Sequence, residues 1–124
     1  MANLLLVEDE ESLREALEEV LADAGHQVVS VATAEAAVAA MEESDETPPD
    51  MILTDIRLPG MNGLDLITRA RNHKAWKDIP IICLSASIPP AMEEHVARQK
   101  DVVFMRKPFE IDAFLAAVGH ALGH

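Results

Sequence analysis

Residues 51–63 have the sequence MILTDIRLPGMNG. Met51–Thr54 is a short uncharged run that ends at a carboxylate, Asp55, and we assign Gly60 and Gly63 to turn geometry. A strand without polar alternation is typical of a parallel sheet that is covered on both faces. In such sheets ligands bind beyond the carboxyl ends of the strands, so Asp55 stands where a functional side chain is expected.

The same alternation of an apolar run with a helical pattern occurs five times along the chain. It predicts strands at Leu4–Val7, Gln27–Val31, Met51–Thr54, Ile79–Leu84 and Val102–Met105, and helices at 11–24, 34–43, 64–71, 90–99 and 110–122. The apolar stripes of the first and last helices include Ala16, Ala24 and Ile111. Five strand–helix units predict a doubly wound α/β sandwich, forming a single domain over residues 1–124.

Composition and charge restrict the function further. The chain has 124 residues, of which 49% are hydrophobic, enough for one core without disulfides. Its lone cysteine, Cys83, cannot form an intrachain disulfide, and we find neither a signal peptide nor a membrane span, so we expect a cytoplasmic protein without a membrane partner. With 10 basic and 22 acidic residues the net charge is −12, which argues against direct nucleic-acid binding.

Polar side chains follow four of the predicted strands. Glu8 and Asp9 come after the first, Asp55 after the third, Ser85 after the fourth and Lys107 after the fifth. If those strands are neighbours, the side chains meet, and three ionised carboxylates repel one another by several kcal/mol. A hard divalent cation such as Mg²⁺ relieves that repulsion, a lysine can hold a phosphoryl oxygen, and an aspartate can serve as a nucleophile.

Four strings at these strand ends resemble those of response-regulator receiver domains. They are VEDE (7–10), LTDIRLPGMNG (53–63), LSA (84–86) and KPF (107–109), and the resemblance covers essentially the whole chain. With it we expect the flavodoxin-like strand order 2-1-3-4-5. It implies a single-domain response regulator, similar to chemotaxis regulators, in a two-component system or phosphorelay.

The resemblance also implies a role for each matching residue. Asp55 would accept a phosphoryl group from the phosphohistidine of a histidine kinase or histidine phosphotransfer protein. Mg²⁺ would be bound by Asp9, Asp55 and the backbone carbonyl of Arg57, with Glu8 acting through water.

The remaining implied roles concern the phosphoryl group and the switch. Ser85 and Lys107 would contact the phosphoryl group, and Phe104 would be the switch aromatic. The Lys107-Pro108 bond would be cis. Arg57 and Ser87 would flank the path of hydrolytic water.

We expect a monomer that switches its interaction with a downstream protein target. It would catalyse only its own phosphorylation and dephosphorylation. Trp76 would report Mg²⁺ binding by quenching if it lies near the metal.

Other interpretations stay open at this point. The chain could be a receiver excised from a larger regulator or hybrid kinase. An Mg²⁺-dependent phosphohydrolase with an aspartyl-phosphate intermediate would need a second aspartate two residues after the nucleophile, where Arg57 stands. A phosphorylation-independent interaction module would leave the acidic cluster vestigial. His120 and His124 have a metal-ligand spacing, although cationic side chains also suit a helix C-terminus.

Overall fold

The computed structural model describes residues 2–43, 48–86, 90–99 and 101–123, and these form one parallel sheet flanked by helices. Its strands are β1 (Asn3–Val7), β2 (Gln27–Val31), β3 (Met51–Asp55), β4 (Ile81–Ser85) and β5 (Val102–Arg106). Its helices are α1 (Glu11–Asp23), α2 (Ala34–Glu43), α3 (Gly63–Arg71), α4 (Pro90–Ala97) and α5 (Ile111–Ala121). The order β2-β1-β3-β4-β5 confirms the prediction.

The sheet has an apolar cluster on each face, because successive strand residues point to opposite sides. Leu5 and Val7 pack with residues of α2 and α3. Leu4 and Leu6 pack on the opposite face with residues of α1 and α5. Burying a leucine completely contributes about 1.5–3 kcal/mol, so the two clusters fix the sheet between the helix layers.

Burial is uniform in the interior strands β3 and β4 and, after its exposed first residue Asn3, in β1, but not in the two edge strands. Every residue of β3 and β4 is buried, whereas Val29 on β2 is 64% exposed and Val103 on β5 is 44% exposed. An edge strand has one neighbour instead of two, and the helix layers do not extend over all of it. The apolar runs alone do not distinguish these two environments.

Some predicted boundaries and buried positions are wrong. β4 begins at Ile81 rather than Ile79, although the carbonyl of Pro80 still accepts a hydrogen bond from Ile52 N. α4 ends at Ala97 rather than residue 99. Ala16, Ala24 and Ile111 are exposed because they lie at the margins of their helical stripes, where the surface turns away from the sheet.

No helix among the residues that the structure describes is long and apolar enough to span a bilayer. Ser87, His124 and residues 44–47 lie outside the described ranges.

Candidate functional site

Asp55 is the last residue of β3, at the carboxyl edge of the sheet. It pairs with Leu84 of β4 and is only 6% exposed. The strand pairing continues one residue further, because Ile56 N donates to the carbonyl of Leu84 at 3.1 Å. The carboxylate is therefore mounted on an interior strand whose backbone is held on both sides of it.

Two further carboxylates lie beside Asp55. Glu8, Asp9 and Asp55 each place one carboxylate oxygen within 4.8 Å of those of the other two. Glu8 is 1% exposed, whereas Asp9 is exposed. The structure thus brings together the three acids that the strand ends predict, with Asp9 as the one open to solvent.

The backbone and side chain of Glu8 are held by contacts from several elements. Glu8 N donates to Val31 O at 3.1 Å, and Glu10 N donates to Glu8 Oε2 at 3.1 Å. Arg14 Nη1 donates to the carbonyl of Glu8 at 3.0 Å. Arg14 is not predicted from the sequence, because a charge on the polar side of an amphipathic helix gives no signal for a backbone contact six residues away.

Lys107 is the cation of this cluster. Its Nζ donates to Glu8 Oε1 at 2.8 Å and to Asp55 Oδ2 at 2.7 Å, and the lysine side chain is 18% exposed. Lys107 N donates to the carbonyl of Ser85 at 2.8 Å, and the Lys107-Pro108 bond is cis as expected. The ammonium bridges β1 and β3 across residues that are far apart in sequence.

Burial and pairing act against each other on these groups. Burial raises the pKa of Glu8, while hydrogen bonds from Lys107 and from Glu10 N lower it, and the net pKa lies above its ordinary value. Burial lowers the pKa of Lys107, but its hydrogen bonds to Asp55 and Glu8 outweigh that effect and the net pKa is raised. The carboxylates thus hold the ammonium in its charged form.

Lys107→Met tests how far this ammonium stabilises the acids. In the absence of divalent cations we expect the free energy of unfolding near neutral pH to fall by about 1–3 kcal/mol, the cost of leaving buried carboxylate oxygens without their hydrogen-bond donor. The folded pKa of Glu8 is already above its unfolded value and should rise further without Lys107. The deficit should therefore shrink as the pH falls through that folded pKa, because the native state takes up the proton first.

The same measurement has a second pH limit and a control. The pKa of Lys107 is raised on folding, so its contribution should disappear as the pH rises through that folded value, in the alkaline range. Denaturant unfolding across pH measures both limits. Arg98 pairs with Glu94 at 2.5 Å on the surface, so Arg98→Met should cost less than about 1 kcal/mol at any pH. Equal losses in the two variants would contradict the bridging role of Lys107.

The loop after Asp55 packs directly onto the end of β3. Gly63 is the first residue of α3, not a turn residue, so that part of the turn prediction is wrong. A Cβ on Gly63 would lie 2.3 Å from the carbonyl oxygen of Asp55, and Gly63 N donates to Ile56 O at 2.9 Å. Gly60 does adopt a turn conformation, with φ +73°. Gly63 is therefore needed for close approach and Gly60 for its backbone angle.

A capping box orients the start of α3. Asp65 N donates to Asn62 Oδ1 at 2.9 Å, and Asn62 N donates to Asp65 Oδ2 at 3.4 Å. The N-x-x-D pattern could have revealed it in the sequence.

Arg57 is exposed and lines an open cleft of about 550 Å³ together with Asp9 and Gly60.

Ser85 is the last residue of β4, at the same edge of the sheet as the acids, and Phe104 lies on the neighbouring strand β5. Ser85 is 1% exposed and pairs in register with Arg106, while Phe104 is half-buried opposite Cys83. The guanidinium of Arg106 lies 5.6 Å from the centre of the Phe104 ring. β4 lies between Phe104 and the strand that carries Asp55, so any response of Phe104 to the carboxylates passes through β4 and β5.

Arg106 also connects β5 to α4. Its Nη2 donates to Glu93 Oε2 at 3.0 Å. Neither Arg106 nor Glu93 stands in a sequence motif that would predict this pair. The same guanidinium therefore covers Phe104 and pairs with a helix that packs on β5.

Trp76 lies at the other end of the sheet. It is 2% exposed and lines a cavity with Asn3 and Gln27, the first residues of β1 and β2. Five residues of strand span about 16 Å, so the indole is too far from the carboxyl edge for direct contact with a metal there. The condition for Trp76 as a metal reporter is not met.

Cys83 is buried, and burial raises the pKa of its thiol to about 12, as suits a core residue.

Comparisons with known proteins identify the same family over nearly the whole chain. A family model for the response regulator receiver domain matches residues 4–119. The response regulator protein FleR of Pseudomonas aeruginosa is 35% identical over 125 residues, which cover 98% of this chain but 25% of FleR. The chain thus spans about a quarter of that relative's length.

Solved structures with this fold include two receivers. The chemotaxis response regulator CheY4 of Vibrio cholerae has a TM-score of 0.86 at 26% identity, with 98% of each chain covered. The receiver domain of the sensor histidine kinase PA1611 of Pseudomonas aeruginosa has a TM-score of 0.86 at 27% identity, covering 99% of this chain and 98% of that one. That structure has a magnesium ion coordinated in its active-site cleft.

Proposed function

Because this chain belongs to the response regulator receiver domain family, we propose that it is switched by transient phosphorylation of Asp55, with Mg²⁺ bound beside that carboxylate. Receiver domains are signalling domains of two-component systems rather than classical enzymes. Any catalysis here would be limited to addition and removal of the domain's own phosphoryl group. The proposal is specific to Asp55 because, among the residues that the structure describes, it alone combines an interior strand end, a lysine contact and two neighbouring acids.

The observation that supports the acceptor role most strongly is the Lys107–Asp55 contact of 2.7 Å within an acidic cluster. A phosphoryl group on Asp55 would place its negatively charged oxygens beside an ammonium that is already there. Phosphoryl transfer depends mainly on positioning and on neutralising the charge of these oxygens. Lys107 supplies both from its present position.

The donor set suits a hard divalent cation. Three carboxylates within 4.8 Å of one another carry more negative charge than Lys107 alone balances, and oxygen ligands are those that Mg²⁺ prefers. Asp9, Asp55 and the carbonyl of Arg57 would hold the ion, with Glu8 acting through water. Bound Mg²⁺ would neutralise charge on the phosphoryl oxygens. The magnesium in the PA1611 receiver supports this assignment.

With a phosphohistidine donor, one bond to phosphorus forms as another breaks. A carboxylate oxygen of Asp55 forms a bond to phosphorus while the P–N bond of the phosphohistidine breaks. The leaving imidazole nitrogen keeps the electron pair of that bond and takes up a proton. The donor is therefore a histidine kinase or a histidine phosphotransfer protein, which fits a two-component pathway or phosphorelay.

Ser85 and Phe104 would convert the added phosphate into a change of surface. The hydroxyl of Ser85 would be drawn to a phosphoryl oxygen. The side chain of Phe104, two residues before Arg106, the partner of Ser85 on β5, would then change its position. The product carries a dianionic group in place of a single charge, enough to bias a two-state element. A downstream protein would bind the surface of α4, β5 and α5 in one of the two states. The domain would act as a monomer in the cytoplasm.

The decisive experiment is intact-mass analysis after incubation with a small acyl phosphate and Mg²⁺. We expect the mass of one phosphoryl group per chain, lost on mild alkaline treatment and absent when the metal is chelated. Release of many molecules of inorganic phosphate per chain from a phosphomonoester would favour a phosphohydrolase instead. Absence of any adduct, from a small donor and from a phosphorylated histidine protein alike, would refute the proposal. Affinity capture with and without beryllofluoride would then identify the partner.

Asp9→Asn tests the metal assignment. Asparagine keeps the shape of the side chain but removes a charge, so we expect Mg²⁺ binding to weaken by at least about tenfold, the low end of the loss seen even for outer-shell partners. Without metal the variant should be no less stable than the wild type, because repulsion within the cluster is reduced. Isothermal titration calorimetry measures the affinity, since Trp76 is remote.

Glu10→Gln is the matched control for that variant. Glu10 is the next residue and is exposed, but it is not part of the three-acid cluster. Its Mg²⁺ affinity should stay within about twofold of wild type, the small effect expected of a solvated charge. If Asp9→Asn and Glu10→Gln weaken binding equally, general acidity rather than ligation attracts the ion.

A further inference from the structure

Glu35 connects α2 to the loop that follows the acceptor strand. It lies in the first turn of α2, and its Oε2 accepts a hydrogen bond from Met61 N at 3.3 Å. The two residues are 26 positions apart in sequence. No role described above uses Glu35, so the contact calls for its own explanation.

The backbone of the loop lies directly against this carboxylate. Gly60 has φ +73°, and a Cβ there would lie 2.4 Å from Glu35 Oε2. A side chain at position 60 would therefore meet both an unfavourable backbone angle and the glutamate oxygen. Met61 N thus binds the Glu35 carboxylate, and the absence of a side chain at Gly60 leaves room for it.

The other end of the same loop is fixed to the sheet. Ile56 N donates to Leu84 O at 3.1 Å, and Ile56 O accepts from Gly63 N at 2.9 Å. Leu58 is 8% exposed and packs in the core. The short segment from Arg57 to Pro59 is thus held by Ile56 before it, by the buried Leu58 side chain within it and by the Glu35 contact with Met61 after it.

We propose that Glu35 is a positioning residue for the metal site, because it fixes the loop that carries the Arg57 carbonyl. This inference rests on the proposed function, in which that carbonyl is an Mg²⁺ ligand. Glu35 touches neither the ion nor the acceptor. By holding Met61, Glu35 limits the conformations of the loop in the free protein. Less conformational entropy is then lost when the carbonyl binds the cation, so binding is stronger.

A competing explanation is that Glu35 only favours the positive end of the α2 dipole. The two explanations differ in what the side chain must supply. The dipole effect needs a negative charge, whereas the contact with Met61 needs an acceptor oxygen at the right distance. Glu35→Gln removes the charge and keeps an acceptor oxygen, and Glu35→Ala removes both. Since Glu35 is exposed and alanine is a good helix former, both variants should fold.

The test compares Mg²⁺ affinities by calorimetry for these two variants and for Glu42→Ala. Glu42 is an exposed acid of the same helix whose nearest ion-pair partner, Arg69, is 3.9 Å away. We expect Glu35→Ala to weaken Mg²⁺ binding by about three- to tenfold, somewhat below the loss for direct outer-shell partners. Glu35→Gln should stay within about twofold and Glu42→Ala should match the wild type. The amide signal of Met61 should shift in Glu35→Ala even without metal.

Several outcomes would overturn the inference. Unchanged affinity in Glu35→Ala would refute it, as would an equal loss in Glu35→Gln, since charge rather than the hydrogen bond would then be responsible. In both cases wild-type Mg²⁺ binding would leave the proposed function intact. A wild-type protein that binds no Mg²⁺ would instead refute the metal assignment, and the role of Glu35 with it.

Discussion

Asp55→Asn is expected to reduce incorporation of alkali-labile phosphate by more than about a hundredfold, because it removes the proposed nucleophile. Asparagine retains the size of the side chain and an oxygen that can accept from Lys107, so the fold should persist. The free energy of unfolding should change by less than about 1 kcal/mol, as the loss of one acid from a repelling cluster offsets the weaker pairing. Intact-mass analysis after exposure to a small acyl phosphate measures the loss.

Asp50→Asn provides the control for that substitution. Asp50 is an exposed aspartate whose Oδ2 accepts from Asn3 N at 2.8 Å, at the amino end of the sheet. We expect full phosphate incorporation in this variant, since its carboxylate is remote from Lys107 and from the acidic cluster. Retention of the adduct in Asp55→Asn would move the acceptor to another residue, which peptide mapping would identify.

Gly63→Ala should cause the largest loss of stability of any single methyl addition at the site. The new Cβ would lie 2.3 Å from Asp55 O and 2.9 Å from Ile56 Cα, and both neighbours are backbone atoms that cannot rotate away. Overpacking against a rigid backbone typically costs about 1–3 kcal/mol and sometimes more, and we expect the upper part of that range. Urea unfolding measures the effect.

Gly119→Ala is the matched control in α5. A Cβ at Gly119 meets no atom within 4 Å, and an alanine in a helix interior is favoured over glycine by about 0.5–1 kcal/mol. The same chemical change should therefore stabilise the protein at position 119 and destabilise it at position 63. If Gly63→Ala were as stable as the wild type, the start of α3 would not lie tightly against the backbone of Asp55 and Ile56.

The layered fold could be predicted because apolar runs and helical stripes reflect burial directly. The interior strand β3 is buried at every position, and the run from Met51 shows this in the sequence. The exposure of Val29 and Val103 could not be predicted in the same way, since both stand in runs as apolar as the interior ones. Only the strand order identifies which strands form the edges.

For the site, the side chains that follow the strands were predictable and their supports were not. Glu8, Asp9, Asp55 and Lys107 occur at strand ends, and the topology brings them together. Arg14 and Glu35 act through contacts to backbone atoms of other loops, and no spacing rule connects them to those atoms. The turn role predicted for Gly63 is wrong, because a glycine needed for close approach of two backbones looks the same in sequence as one needed for a turn.

The remote placement of Trp76 separates two kinds of measurement. It is the chain's single tryptophan, buried at the amino end of the sheet. Its emission should follow loss of the core during denaturation and remain insensitive to which groups occupy the carboxyl edge. Folding can therefore be monitored by intrinsic fluorescence in every variant above, with or without ligand, without the optical signal being confused with the chemistry.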